Sequence, residues 1–394
     1  MWLSVAAIDY VIKVPVSADS RLDRFSTLMV FNTVEFDPNL TPDRQLNRGQ
    51  WVKLICGASY QDLPAIRNLV LVYTLAGGDC VDLAADPAVV AAAQAGIKAA
   101  LSLSEGEQCR ETKTLHVPWL MVSLNDGEDP PFRKALCDPS RCPPDCPRPC
   151  ASVCPTQAIS ALPKSQHSSG VQAEKCYGCG RCLPLCPLGL IETRAQTAAV
   201  ETLLPWLQSG QIAAIELHTQ VGHGEEFQQL WETLRPSFGH LQAISISCPF
   251  HPDVIAYLQQ LKAMIQPLTL PLIWQTDGRP MSGDIGKGTT HLCIHYAEQV
   301  LATNLPGYLQ LAGGTNAHTI NKVRQKQLAV NGVAFGSCAR TLLTPILQQA
   351  EIHHQQDGGT GEVQLETYPD LLQTAIALAK TLVQPWKRQP EISG

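Results

Sequence analysis

Short apolar runs alternate with helix-length stretches along most of the chain. The run WVKLICGA at Trp51–Ala58 is typical of a buried strand, and Leu63–Ala76 has the length and composition of an apolar helix. Pro87 lies at a favourable first-turn position of the next predicted helix. The predicted strands are 51–58, 79–84, 119–125, 212–219, 241–248, 271–277, 307–312 and 332–337. The predicted helices are 63–76, 87–103, 195–208, 225–234, 253–265, 289–301, 317–327 and 369–383.

The number of strand–helix pairs predicts the fold. Strands that alternate with helices form parallel βαβ units, and eight such pairs in about 340 residues predict a (β/α)8 barrel. The alternative is an open doubly wound sheet. The expected segments are an N-terminal extension of unknown role (1–47), barrel strands 1–3 (48–134), a bacterial-ferredoxin-like insertion (135–194), barrel strands 4–8 (195–385) and a C-terminal tail (386–394).

The insertion contains a complete iron–sulfur signature. The sequence CYGCGRCLPLCP has the spacing C-x2-C-x2-C-x3-C-P, formed by Cys176, Cys179, Cys182 and Cys186. In two-cluster ferredoxins the first three cysteines of such a run hold one cubane, and the fourth binds the other cluster. Because the insertion follows the third strand, we expect it at the C-terminal face of the barrel, where barrel proteins place their sites.

A second, less regular run precedes the first and suggests an internal repeat. Cys142, Cys146, Cys150 and Cys154 follow one another at x3 spacing, and Cys154 is also followed by proline. By the crossover rule, Cys154 completes a 4Fe-4S cluster with Cys176, Cys179 and Cys182. Cys186 completes a 4Fe-4S or 3Fe-4S cluster in the first half. The residues expected to form an apolar shell around the clusters are Ile159, Leu183, Leu185, Leu188 and Ile191.

The first run has one cysteine too many. Nine cysteines lie between residues 137 and 186, whereas two four-iron cubanes need eight. Cys137 is therefore an alternative ligand, and one of Cys137, Cys142 and Cys146 is spare, unless the first site is a three-iron cluster with unusual ligation. Zinc and disulfides are competing interpretations, but zinc needs four ligands in differently spaced pairs. The remaining cysteines, scattered singly, are expected to be inert core residues; they are Cys56, Cys80, Cys109, Cys248, Cys293 and Cys338.

Composition narrows the class of protein further. Of the 394 residues, 16% are charged and 45% are hydrophobic, which is enough for a sizeable core. The net charge of −6 and the lack of a Lys/Arg run argue against a nucleic-acid partner. We expect no membrane-spanning helix, because no run of eighteen apolar residues occurs. A thiol-rich chain whose N-terminus lacks a basic signal-peptide region is expected in a reducing cytoplasm.

Glycine-rich loops after the last two strands suggest a weaker candidate site. Gly313 and Gly314 follow strand 7, and Gly336, Ser337 and Arg340 follow strand 8. Barrels commonly bind a phosphate at these loops, for example that of a flavin, through backbone N–H groups. The alternative is that the glycines serve only tight turns and helix caps. No full flavin fingerprint and no catalytic pair can be assigned, so we assign no catalytic residue and flavin stays unsupported.

Five segments resemble one protein family. Residues 55–69, 73–90, 142–159, 176–191 and 278–288 are similar to the light-dependent period (LdpA) family of cyanobacteria. The resemblance implies an iron–sulfur protein that reports redox state to the circadian clock, with one four-iron and one three-iron cluster. It implies the clock's input kinase and Kai-type clock proteins as partners. Residues 1–47 depart from the family.

Two functions from different classes are consistent with these patterns. The first is a redox sensor, in which a change of cluster charge or the loss of a cluster loosens the segment that depends on it. The second is an oxidoreductase that passes electrons to a flavin or substrate at the barrel mouth. The resemblance favours the sensor, and hence a protein that is not an enzyme.

Overall fold

The barrel is closed by pairing between its first and last strands, which are separated by most of the chain length. The computed structural model describes residues 41–105, 115–127, 132–154, 156–159, 170–176, 178, 180–195, 200–278, 289–359 and 362–390. The strands are β1 Trp51–Ile55, β2 Cys80–Ala84, β3 Trp119–Asn125, β4 Arg133–Cys137, β5 Ile191–Ala195, β6 Ala214–His218, β7 Ala243–Pro249, β8 Leu272–Asp277, β9 Tyr308–Ala312 and β10 Gly332–Phe335. Eight of them form a closed parallel barrel in the order β1-β10-β9-β8-β7-β6-β3-β2.

Pairing between the first and last strands excludes the open sheet. Trp51 of β1 lies opposite Gly332 of β10, in parallel register. Gly332 fits this position because a Cβ there would lie 2.5 Å from the Trp51 side chain. The prediction of a (β/α)8 barrel is therefore confirmed, and the doubly wound alternative is wrong.

Helices cover the outside of the barrel. The helices of the described residues are α1 Pro42–Arg48, α2 Leu63–Leu75, α3 Pro87–Glu105, α4 Pro149–Val153, α5 Val200–Gln208, α6 Gly224–Leu234, α7 Val254–Met264, α8 Thr289–Leu301, α9 Thr319–Lys326, α10 Ser337–Gln356 and α11 Pro369–Lys387. Of these, α4 belongs to the insertion and α1 lies at the N-terminal end of the barrel. The helix α10 was missing from the prediction, which placed a single helix at 369–383 after the last strand. Its pattern is weak because Pro345 interrupts it and few of its residues are buried.

One helix in the described part of the chain, Pro87–Ser104 within α3, is long and apolar enough to cross a membrane by length and composition. A core helix passes the same test. Val89, Val90 and Ala93 of this helix are fully buried, and α3 packs against α2.

The N-terminal end of the barrel is closed by an apolar floor. Leu46 of α1 packs there with Trp51, and Trp51 meets Trp119 edge to face at a centroid distance of 5.4 Å. Lys387 of α11 forms an ion pair with the buried Asp79, which joins the last helix to this end of the barrel.

The insertion begins and ends on one antiparallel strand pair. Cys137 at the end of β4 lies opposite Ile191 at the start of β5, and Arg133 lies opposite Ala195. Between these strands the described chain forms α4 and an isolated antiparallel bridge, Ile159 with Val171. The insertion therefore has its own two-stranded sheet, separate from the barrel.

Candidate iron–sulfur site

The core of the insertion is small and rich in sulfur. Its buried residues are Ala135, Ala158, Val171, Cys182 and Ile191, and we call this group the mini-core. Five further cysteines and Ile159 pack against it from half-buried positions: Cys137, Cys150, Cys154, Cys176 and Cys186. Residues from both halves of the repeat thus share one core, as the internal repeat predicts.

Cysteines from the two halves meet at a cavity beside the mini-core. Cys154 of the first run faces the cavity together with Cys176 and Cys182 of the second run, which is the combination that the crossover rule predicts. Cys179, the fourth predicted ligand of this site, lies outside the described residues. The other described lining residues are Ala135, Thr156, Ala158, Ile159, Val171, Gly178, Gly180, Arg181 and Thr193.

Backbone N–H groups point at the sulfurs of this cavity. The amide of Ala158 donates to the Cys154 sulfur at 3.2 Å, and the amide of Ala135 donates to the Cys176 sulfur at 3.4 Å. Gly178 and Gly180 have φ angles of 73° and 70°, a region that glycine adopts without strain, so the chain can turn closely around the site. Such donors stabilise negatively charged thiolates.

The remaining sulfurs gather at a second place. Burial raises the pKa of the Cys137 thiol, and the neighbouring thiols of Cys150 and Cys142 raise it further. Cys186 of the second run also adjoins Cys137 and Cys150, again as the crossover rule predicts. The amide of Leu190 donates to the Cys186 sulfur at 3.3 Å, and this bond, with those from neighbouring amides, lowers the pKa of the Cys186 thiol.

Both places suit iron–sulfur clusters by the chemistry of their donors. Thiolates are the usual ligands of such clusters, and N–H groups directed at sulfur tune their reduction potential. The Cys146 sulfur accepts the amide of Arg148 at 3.4 Å, so a cationic residue adjoins the first place. A bound cluster would supply reversible one-electron chemistry, and the protein's own groups would set its potential through these contacts.

The apolar shell predicted around the clusters is only partly present. Ile191 is buried and Ile159 packs against the mini-core. The expectation is wrong for three leucines, because Leu183, Leu185 and Leu188 are 36%, 40% and 56% exposed. Leu183 and Leu185 lie in a short 3-10 helix at 183–185 that buries none of its residues, and Leu188 follows that helix.

Two residues of the first insertion strand and its lead-in hold the insertion on the barrel. Phe132 is buried and contacts the imidazole of His218, at the end of β6. The Lys134 ammonium donates to the side chain of Gln61, in the loop after β1, at 2.9 Å. The backbone N–H of Gln61 in turn donates to the backbone carbonyl of Glu174 at 2.8 Å. The insertion therefore lies at the C-terminal ends of the barrel strands, as expected.

The barrel interior contains charged residues that the sequence interpretation missed. Lys53, Asp82 and Glu216 point into the barrel and are at most 1% exposed. Lys53 pairs with Glu216, and its ammonium lies 3.9 Å from Asp82. Ser245 and Gln275 each donate to Glu216 at 2.8 Å. Barrel interiors are usually filled by branched apolar residues. The sequence feature that could have revealed them is a single charged residue within each of three otherwise apolar strands.

These buried charged groups shift one another's pKa values. Burial opposes ionisation of Lys53 and Glu216, but their mutual attraction wins, so the pKa of Lys53 is raised and that of Glu216 is held far below its usual range. Burial, and then the negative charge of Glu216, raise the pKa of Asp82 to about 6. His218 lies 3.2 Å from Glu216 and connects this group to Phe132.

The glycine-rich loops make mainly internal contacts. Arg340 donates to the carbonyls of Ile55 and Cys56 at 2.6 and 2.7 Å, and its guanidinium lies over the ring of Tyr60. Gly336 precedes α10, which begins at Ser337, while Gly313 and Gly314 have φ angles of 63° and 91° that suit a tight turn. These contacts satisfy the turn interpretation, and phosphate binding at these residues stays a prediction.

The scattered cysteines lie mostly in the core. Cys56, Cys80, Cys248 and Cys293 are buried, Cys338 is half-buried, and Cys109 falls outside the described residues. Burial raises the pKa of Cys56 to about 12, which makes its thiol a poor nucleophile.

Comparison with known proteins assigns the cofactor of the insertion. Residues 142–197 match the LdpA Fe-S cluster-binding domain. Fold and site thus define an iron–sulfur protein in which the cluster-binding domain is inserted into a (β/α)8 barrel. Residues 206–385 match the Light dependent period A C-terminal domain. The chain is 52% identical to Light dependent period A of Synechococcus elongatus over 354 residues, 88% of this chain and 94% of that protein. It therefore belongs to the Light dependent period A family.

Proposed function

We propose that this protein senses cellular redox state through its iron–sulfur clusters and relays that state to the circadian clock. One cluster would be a 4Fe-4S cluster bound by Cys176, Cys179, Cys182 and Cys154, and the other a 4Fe-4S or 3Fe-4S cluster in the first half. The partners would be the clock's input kinase and Kai-type proteins in the cytoplasm. The name of the Synechococcus elongatus relative, Light dependent period A, refers to a light-dependent period and supports this direction.

The observation that carries the proposal is the composition of the mini-core. Its five buried side chains are small or medium in size, and one of them is a cysteine predicted to bind iron. Such a core buries too little apolar area to order the insertion alone. Metal binding then supplies folding free energy, so a change in the clusters changes the order of the insertion.

The contacts between the insertion and the barrel would transmit that change to the barrel. The amide of Ala135 donates to the Cys176 sulfur, and the adjacent Lys134 bonds to Gln61 of the barrel. The negative charge of Cys176 also acts on the pKa of Lys134, raising it against the larger lowering effect of burial. An electron added near Cys176 would strengthen the attraction on Lys134 and compete with its bond to Gln61.

An exposed apolar surface next to Cys186 supports a protein partner. Leu183, Leu185 and Leu188 are exposed within a stretch of six residues, on both sides of Cys186. We call these three residues the leucine surface. Contiguous exposed apolar residues commonly mark interaction sites. A partner bound there would lie directly over a predicted cluster ligand.

Hydrogen exchange of the protein purified without oxygen tests the sensor. Exchange is measured with oxidised and with dithionite-reduced clusters, whose state is checked by electron paramagnetic resonance. We expect reduction to change exchange in β4 and around Gln61 while leaving α8 unchanged. Binding to purified input kinase and Kai-type proteins should differ between the two states. Equal exchange and equal binding in both states would refute the relay.

The same preparation distinguishes the sensor from an oxidoreductase. Iron, acid-labile sulfide and flavin are quantified together with substrate-dependent turnover. Stoichiometric flavin with turnover would support the oxidoreductase and contradict our proposal. Zinc without acid-labile sulfide would refute the cluster assignment itself.

A further inference from the structure

We propose that Cys137 is an iron ligand of the first cluster, and that Cys142 and Cys146 are interchangeable at one remaining position of that cluster. Cys137 lies five residues before the matched cluster-binding domain, which begins at residue 142. The inference rests on cluster binding by the insertion and is independent of the role in the clock.

The position of Cys137 in the small sheet supports this assignment. It is the last residue of β4 and lies opposite the buried Ile191. Because both strands are fixed by the pairing of five residue pairs, the Cys137 side chain is held in place by backbone structure. A ligand held on a strand is better positioned than one carried by an irregular loop.

Packing against the mini-core distinguishes Cys137 from Cys142 and Cys146. Cys137 and Cys150 of the first half and Cys186 of the second half pack against the mini-core, matching the three inner cysteines at the other place. Among the described residues, Cys142 and Cys146 are not part of this packing. The inner position thus belongs to Cys137.

Cys142 and Cys146 form a pair instead. Their side chains are joined by a hydrogen bond, and both thiols adjoin that of Cys150. Three inner ligands leave one position on a four-iron cluster, and this pair offers two thiols for it. One thiol of the pair is then free at any time, which accounts for the ninth cysteine.

Binding by Cys137 also explains how the first cluster would act on the barrel. Phe132 and Lys134, which contact the barrel, lie on the same short segment as Cys137. When the Cys137 thiol binds iron, a sulfur–iron bond forms and the thiol proton passes to solvent. Loss of that bond would free the C-terminal end of β4, the strand whose N-terminal end carries both barrel contacts.

Alkylation of the native holoprotein tests the assignment without any substitution. Protein purified without oxygen is treated with N-ethylmaleimide, and the modified cysteines are identified by mass spectrometry. We expect Cys137 to be protected at least tenfold relative to protein whose iron has been chelated. Cys142 and Cys146 should each be partly modified. Full modification of Cys137 in the holoprotein would overturn the proposal.

Substitutions provide the second test. Cys137→Ser should lose the iron and sulfide of the first cluster, about half of the total, while the resonance signal of the second cluster remains as a sign of folding. Cys142→Ser and Cys146→Ser should each keep the first cluster, and the double variant should lose it. Cys338→Ser, on a barrel helix, is the control and should keep both clusters. A Cys137→Ser protein with its full iron content, or a first cluster lost in either single variant of the pair, would overturn the assignment. If Cys137→Ser loses both clusters, the alkylation of the native holoprotein decides whether Cys137 is a ligand.

Discussion

The ring of Phe132 stands edge-on against the imidazole of His218, with ring centroids 5.3 Å apart and an angle of 85° between their planes. Phe132 belongs to the chain that leads into the insertion, whereas His218 ends a barrel strand and lies beside Glu216. One aromatic contact therefore joins the cluster-binding segment to the charged interior of the barrel.

Replacing Phe132 by Ala should loosen the insertion on the barrel. The side chain is buried, and removing such a phenyl ring typically costs about 3–5 kcal/mol of the free energy of unfolding. We expect faster hydrogen exchange in β4 as well as lower stability, measured by exchange and by urea unfolding of the holoprotein. Phe238→Ala, which removes a ring contact with Trp231 of α6, is the control. It should lower stability without changing exchange in β4; an equal change in both variants would contradict a local coupling.

Replacing Asp82 by Asn should change how stability depends on pH. The pKa of Asp82 is raised to about 6 in the folded protein, whereas an unfolded aspartate titrates near 4. The folded state holds this proton more tightly, so the contribution is present at low pH and lost as pH rises through about 6. From pH 5 to pH 8 the wild type should lose about 1 kcal/mol that Asp82→Asn does not lose. Urea unfolding at several pH values measures it, and parallel profiles would show that Asp82 is not the group responsible.

Replacing Gly96 by Ala should destabilise the packing of α3 on α2. A Cβ at this position would lie 2.4 Å from the carbonyl oxygen of Arg67 and 3.1 Å from the Leu71 nitrogen. Because both obstacles are backbone atoms, the helices must move apart, at a cost of about 1–3 kcal/mol. Gly239→Ala is the matched control, since a Cβ there meets nothing within 4 Å. Thermal unfolding should separate the two variants, and equal midpoints would contradict the close contact.

Replacing Leu188 by Ser should weaken partner binding without affecting the clusters. Leu188 is 56% exposed and belongs to the leucine surface beside Cys186. A loss of about tenfold in affinity for the clock partner, which corresponds to about 1.4 kcal/mol, is expected in a binding assay with purified proteins. Ile352→Ser is the control, because Ile352 is equally exposed, at 53%, but lies on α10. Unchanged affinity in Leu188→Ser would exclude this surface.

The barrel could be predicted because its strands carry a strong local signal. Trp119–Asn125 and Thr289–Leu301 have the bounds that the sequence predicts. Strands β4 and β5 could not be found in this way, since each has five residues and pairs with a partner more than fifty positions away. Their pairing is a tertiary effect, stabilised by the mini-core between them.

The candidate site was likewise predicted from the sequence only in part. The spacing of the cysteines predicted that Cys154 would join Cys176 and Cys182, because ligand spacing is a local property of the chain. The exposure of the leucine surface could not be predicted, because the sequence near a cluster does not show whether an apolar side chain faces the protein interior or the solvent. The pair Lys53 and Glu216 was missed because its members are distant in sequence and are brought together only by barrel closure.

The strand pair β4–β5 has a consequence for the path of the chain. Arg133 and Ala195 lie opposite each other where the insertion leaves and rejoins the barrel. Opposed residues in an antiparallel pair have Cα atoms about 5 Å apart, no more than a hairpin turn spans. The whole cluster-binding segment therefore occupies the place of one short connection between β3 and α5. It behaves as a cassette, which a tight turn could replace without re-routing any strand of the barrel.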